Sequence, residues 1–242
     1  MPPLVSSNQS AQIAAASSLQ FVLPEIVTAF KQQTGHNLRV TYGSSGNFLR
    51  QIVQGAPFEL FLSADESYAT MLVEKKLTVD SGRVYALGRL AVITPENSGI
   101  ALTPDLSSFA TALEEGHLQH FAIANPDHAP YGRAARETLQ ALGLWQALQP
   151  RLVKGENVAQ ATQFAISGSS QGGIVAYALA LAPAISRLSR VLPIDQSRHQ
   201  PIRQRMVLLK SAGGIARLFY DFLSEPEAQA IFQRRGFEVP QV

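Results

Sequence analysis

The sequence predicts an α/β fold arranged as two lobes, and three observations lead there. Short strand-like and helix-like runs alternate almost to the end of the chain, which implies parallel sheets flanked by helices. The runs outnumber what one doubly wound sheet usually needs. Extended segments at 83–94 and near 205–209 give the chain places to cross out to a second lobe and back, so that two lobes would face each other across a hinged cleft. The boundaries expected from this are 1–87 with 205–242 for one lobe and 88–204 for the other.

Each element follows from local chemistry. "QIAAAS" reads as a strand, and the next helix runs through "LQFVLPEIVTAFKQQT" to Gly35, the residue suited to a left-handed cap. Pro24 sits early in that run, so regular helix starts close to it after an irregular first turn. Strand "NLRVTYG", helix "NFLRQIVQG", strand "FELFLSA" and helix "ESYATMLVEKKL", capped by Asp65, come next. Beyond the extended "RVYALGRLAVITP" the order is helix "LSSFATALEEG", strand "FAIAN", loop "PDHAPYG", helix "RAARETLQALG", strand "RLVKG", helix "VAQATQFAISG" and strand "GGIVAYAL". Strand "RMVLL" and helices "GIARLFYDFL" and "PEAQAIFQRRG" close the chain.

Composition narrows the function classes. A chain of 242 residues, 46% hydrophobic and 16% charged, has globular proportions and buries a large core without staples. No apolar stretch reaches the length of a membrane span. There is no Cys, which removes disulfides, thiolate metal sites and cysteine nucleophiles. Twenty Lys and Arg against 18 Asp and Glu leave a surplus too small, and too scattered, for nucleic acid. The start, "MPPLVSSNQSAQ", lacks the basic and apolar regions of a signal peptide.

Small donor residues recur where strands hand over to helices, the places where open α/β sheets bind ligands. Ser17 and Ser18 follow "IAAA", Ser44 and Ser45 follow "VTYG", Tyr131 and Gly132 end "NPDHAPYG", and Asn157 and Val158 lie in "KGENVAQA". Two of these turns precede the first crossover and two follow it, so both lobes contribute. None places a cation at its centre, although His128, Arg133 and Lys154 are near in sequence. Neutral N–H and O–H donors around one point suit a desolvated anion, because hydrogen bonds to an ionised acceptor are short and strong. Each turn, taken alone, reads more readily as an ordinary helix cap.

The segments "AAASSL", "YGSSGNFLRQIVQGAPFELFLSAD", "ANPDHAPYG", "GENVAQA" and "GGIVAYA", in this order and spacing, resemble the periplasmic molybdate-binding proteins of bacterial ABC importers. The likeness runs from about Gln12 to the terminal "IFQRRGFEVP", and the block from Gly43 to Asp65 is its most specific part. The resemblance implies a two-lobed periplasmic binding protein fold of type II, two doubly wound sheets joined by a hinge of crossover segments. It implies a periplasmic, monomeric, non-enzymatic receptor that takes molybdate or tungstate and passes it to a membrane permease. The ligand contacts it implies are Ser17, Ser18, Ser45, Tyr131 and the backbone of Val158. They hold the metal only as its oxyanion, with no direct protein ligand to the metal ion and no cofactor. One branch of the family has Ala in place of Tyr131 and draws a tyrosine from the position of Ala176; this chain shows the reverse arrangement. Tyr177 is expected to point away from the ligand, because neighbours along a strand face opposite sides.

Other readings have less behind them. Sulfate or another oxyanion is the nearest alternative. "GSSQG" fits a nucleophile elbow around Ser170, but the elbow needs a strand before the serine and a helix after it, and here the order is reversed. The five histidines, His36, His117, His120, His128 and His199, lack metal-ligand spacing and are expected in solvated loops. No phosphate-binding glycine motif occurs.

Overall fold

The computed structural model describes residues 10–240. The N-terminal stretch read above as lacking a signal-peptide pattern falls almost wholly outside them. The first lobe opens with β1 (Ala11–Ala16), a 3-10 turn at Ser17–Leu19 and α1 (Leu23–Thr34). Pro24 lies in the first turn of α1, and Gly35 ends it at φ 75° with its N–H donated to the Lys31 carbonyl, as the sequence predicts. β2 (Leu38–Gly43), α2 (Ser45–Val53), β3 (Leu60–Ser63), α3 (Glu66–Glu74) and β4 (Arg83–Gly88) follow.

At Arg89 the chain leaves for a second sheet. There β5 (Leu90–Pro95), α4 (Ser107–Glu114), β6 (Phe121–Ala124), α5 (Pro130–Ala141), α6 (Trp145–Leu148), β7 (Leu152–Gly155), α7 (Val158–Ile166) and β8 (Gly173–Ala176) are laid down. Two single-turn helices, α8 (Tyr177–Ala180) and α9 (Pro183–Ser186), lead into β9 (Ser189–Pro193). β10 (Ile202–Leu208) then returns to the first sheet, and α10 (Gly214–Phe222) and α11 (Pro226–Arg234) pack there.

The sheets share one plan. Their strand orders are β2-β1-β3-β10-β4 and β7-β6-β8-β5-β9. In each, three strands run parallel, with β1 between β2 and β3 in the first and β6 between β7 and β8 in the second. Both sheets are mixed, which corrects the expectation of purely parallel ones. β10 runs antiparallel to β3 and β4, and β5 antiparallel to β8 and β9. These inserted strands enter from the opposite lobe and so arrive from the far end of the sheet.

Aromatic packing holds each lobe. Phe30 of α1 meets Phe219 and Phe222 at ring separations of 5.1 and 5.6 Å, and Phe109 of α4 meets Phe121 of β6 at 5.2 Å against the second sheet. Burying one such ring fully is worth about 1.5–3 kcal/mol, which makes these contacts the anchors of the helices that flank the sheets.

Several boundaries differ from expectation. β9 lies in a stretch to which the sequence reading assigns no element, and β10 begins at Ile202 rather than Arg205. α2 starts at Ser45, not Asn47, and α5 starts at Pro130, so Tyr131 belongs to a helix rather than to a loop. β8 stops at Ala176, and Tyr177 opens α8.

Candidate functional site

Four strand ends point into the space between the sheets. β1 and β2 of the first sheet occupy the places that β6 and β7 hold in the second, and the turn after each meets the same small cavity. Its volume is about 10 Å³, and its lining includes Ser17, Ser18, Ser45, Tyr131 and Val158. All five residues named from the sequence are brought together. Among the described residues, no charged one lines it. A broader, open groove alongside runs between Asp65, Arg133, Glu137 and Arg203. Its charges are at least partly exposed and partly paired, so the cavity where buried hydroxyls converge is the better candidate.

The two serines after β2 divide the work that the sequence left open. Ser44 is the helix cap: it accepts from Asn47 N–H at 3.3 Å. Ser45, only 1% exposed, begins α2 and accepts from Ala64 N–H at 2.9 Å. With its oxygen so engaged, its own hydrogen remains to be donated. Ser17 stands the same way, accepting from Ala159 N–H of α7 at 3.4 Å, and Tyr131 Oη accepts from Gln204 Nε2 at 2.8 Å. The Ser18 hydroxyl is buried without a hydrogen-bond partner among the described residues. Val158 and Ser45 are the first residues of their helices, so their N–H groups have no intrahelical acceptor, and the cap of α7 is supplied by Asn157 to Gln160 instead.

Burial pushes the Tyr131 phenol far above its ordinary pKa, and it stays a neutral donor throughout the physiological range. The Ser18 hydroxyl and the Gln204 amide pull the other way, although Ser18 does not meet the geometry of a hydrogen bond. Chemically, the cavity presents hydrogens and positive helix ends to whatever it encloses.

A match spanning residues 11–238 to the family model described as bacterial extracellular solute-binding protein decides the class. The chain belongs to the bacterial extracellular solute-binding proteins. Among relatives of this solute-binding protein, molybdate-binding protein ModA of Rhodobacter capsulatus is 38% identical over 231 residues, 93% of this chain and 88% of that one. The solved periplasmic molybdate-binding protein of Azotobacter vinelandii superposes with a TM-score of 0.85 at 31% identity, covering 96% of this chain and 100% of that one. The sulfate-binding protein SubI of Mycobacterium tuberculosis shares the fold, with a TM-score of 0.77 at 16% identity over 96% of this chain and 87% of that one. The two-lobed fold and the family expected from the sequence are thereby borne out.

Contacts that the sequence did not disclose join the two halves of this solute-binding protein. His128 is largely enclosed, and the Ser44 hydroxyl meets it at Nδ1 (3.0 Å) and at its carbonyl oxygen (3.3 Å). Gly46 N–H donates to the same carbonyl at 3.1 Å. A Cβ on Gly46 would stand 2.6 Å from that oxygen, so the approach depends on glycine. Arg133 pairs with Asp65 and covers the Tyr68 ring at 5.1 Å, so Asp65 both caps α3 and bridges the halves. His199 is buried as well, which corrects the expectation of five solvated histidines.

Tyr177 does not line the cavity, as expected, but for a different reason. It starts a helix and packs against Arg89, 4.9 Å from its ring, at the junction of the lobes. Ser170 follows a helix and precedes a strand, and its hydroxyl faces the carbonyls of Phe164 and Gly172 at 3.0 Å each. That is a turn-stabilising arrangement, not a poised nucleophile.

Proposed function

We propose that this chain is a high-affinity receptor that captures molybdate in the periplasm and delivers it, as a monomer, to the membrane permease of an ABC importer. The observation that carries the reading is the convergence of four hydroxyls and the free N–H groups of two helix starts on one cavity whose lining among the described residues carries no charge. The names of the relatives point to the same anion. Ser17, Ser18, Ser45, Tyr131 and the Val158 N–H are the proposed contacts, the first three from the lobe of 1–87 and 205–242 and the other two from the lobe of 88–204. The chemistry is binding without catalysis.

Closure buries the dianion and orders donors from both lobes, so occupancy and the closed shape are linked. Because the oriented hydroxyls offer hydrogens, a fully deprotonated oxyanion is matched, while hydrogen phosphate brings a hydrogen of its own that needs an acceptor. Sulfate has the right charge and shape and a smaller size, so its hydrogen bonds are stretched, and unmade buried bonds are costly. Tungstate, nearly equal to molybdate in size, is expected to bind alike.

A thermal melt with molybdate, tungstate, sulfate and phosphate at equal ionic strength tests this. At about a thousand times its dissociation constant a ligand adds roughly 4 kcal/mol, on the order of 8–16 °C for a chain of this size. Large shifts with molybdate and tungstate alone are expected. A shift led by sulfate, or none with any anion, would refute the assignment.

A further inference from the structure

Gln204 has no exposed surface and lies in β10, where the chain re-enters the first sheet. A buried amide requires partners for both its oxygen and its nitrogen, and Gln204 finds them in two tyrosines. Its Oε1 accepts from Tyr85 Oη and its Nε2 donates to Tyr131 Oη, each at 2.8 Å. Tyr85 Oη also lies 3.3 Å from the Ser63 carbonyl; its single hydrogen serves one acceptor at a time, and the Gln204 oxygen is the nearer of the two. In this arrangement the amide turns its oxygen to Tyr85 and its nitrogen to Tyr131.

A phenol that accepts from an amide keeps its own hydrogen for a third group. For Tyr131, which lines the cavity, the groups within reach are whatever the cavity holds and the neighbouring Ser18 hydroxyl. Gly88 makes the arrangement possible, since a Cβ there would stand 2.4 Å from Tyr131 Oη and 2.9 Å from Gln204 Nε2. The contrast with the serines is informative: Ser17 and Ser45 are oriented by backbone N–H groups, whereas Tyr131 is oriented by a side chain.

We propose that Gln204 is a positioning residue for the anion, aiming the Tyr131 O–H into the cavity by donating to its oxygen. The proposal rests on Tyr131 being a molybdate ligand. It also has a sign. With the amide reversed, Tyr131 would donate to Gln204 and be lost to the anion, and removing Gln204 would then leave binding unchanged or improve it.

A double-mutant cycle on the whole chain tests it, with molybdate affinity read by titration calorimetry and melting read without the anion. Gln204→Met and Tyr131→Phe should each weaken binding by about five- to tenfold, and the double variant should bind no more weakly than Tyr131→Phe alone. A purely structural Gln204 would give additive losses, which would overturn the proposal, as would unchanged or tighter binding by Gln204→Met. Gln204→Glu keeps the shape and only accepts, so it draws the phenol hydrogen away and sets a charge near the anion. It should bind more weakly than Gln204→Met, and equal or tighter binding would again overturn the proposal. Failure of the parent reading looks different: the unmutated chain would not take up molybdate at all, and the proposal would fall with it. Normal uptake together with an unaffected Tyr131→Phe variant would overturn only the role of Tyr131 and hence of Gln204.

Discussion

After β1 and β2 the first lobe sets four serines at the cavity, one of them the cap Ser44, whereas after the equivalent β6 and β7 the second lobe sets one phenol and the N–H that starts α7. A serine hydroxyl is short, so the backbone that carries it must come close. The glycines beside it, Gly43 against the Phe48 ring and Gly46 against the His128 carbonyl, allow that approach. A tyrosine reaches further but must be aimed by its surroundings. A backbone N–H is aimed by the helix itself and survives every substitution but one. The halves thus reach the same donor chemistry by routes that mutation can separate.

The exception, proline, gives the largest expected effect. Val158→Pro removes the N–H at the first position of α7, where proline fits, and Asn157 before it is already extended at φ −150° and ψ 173°. Hydrogen bonds to charged groups are worth about 1.5–3 kcal/mol, so affinity for molybdate should fall roughly 10- to 100-fold while the melting temperature without anion barely moves. Calorimetry showing unchanged affinity would remove the backbone from the second half of the site.

Ser45→Ala probes the first half and should behave differently. Affinity should fall about tenfold, and the unliganded protein should also lose stability, because Ala64 N–H is left buried without its acceptor. A loss of about 1–3 kcal/mol corresponds to roughly 2–12 °C in melting temperature. A weaker binder with an unaltered melt would mean that Ser45 is not braced as described.

The smallest effect belongs to the pair that spans both halves. Arg133→Ala removes a half-buried ion pair with Asp65, an interaction worth about 0.2–1 kcal/mol. Stopped-flow release of molybdate should quicken by up to about fivefold, and the gap from the unmutated protein should narrow in high salt. If release is not altered, the bridge is indifferent to closure.

Much of this was legible in the sequence. Long amphipathic segments such as α1, α3 and α10 were found from their period and caps, and the four donor turns from their place after strands. What was missed has physical reasons. β9 is a half-exposed edge strand ending in Pro193, with no clean alternation, and α8 and α9 are each one turn long, too short for a period to show. Pro130 was a usable signal for the start of α5, since proline favours the first helical position. Strand direction in β5 and β10 depends on which lobe the chain comes from, and local pattern carries no record of that. Val158 acts through its backbone, so its side chain announces nothing. Gln204 sits in a run rich in Arg and reads as surface until the sheet places it inside.

The interleaving of strands also orders events during synthesis. Every strand of the second sheet lies between Leu90 and Pro193, so that sheet is complete once this stretch has been made. The first sheet is not, because β10 stands between β3 and β4 and comes from the last fifth of the chain. Until it arrives, β3 and β4 have no partner on their facing edges, and closing so long a loop is slow. The lobe made first is therefore finished last, and the half of the cavity formed by Ser17, Ser18 and Ser45 matures only when nearly all of the polypeptide exists.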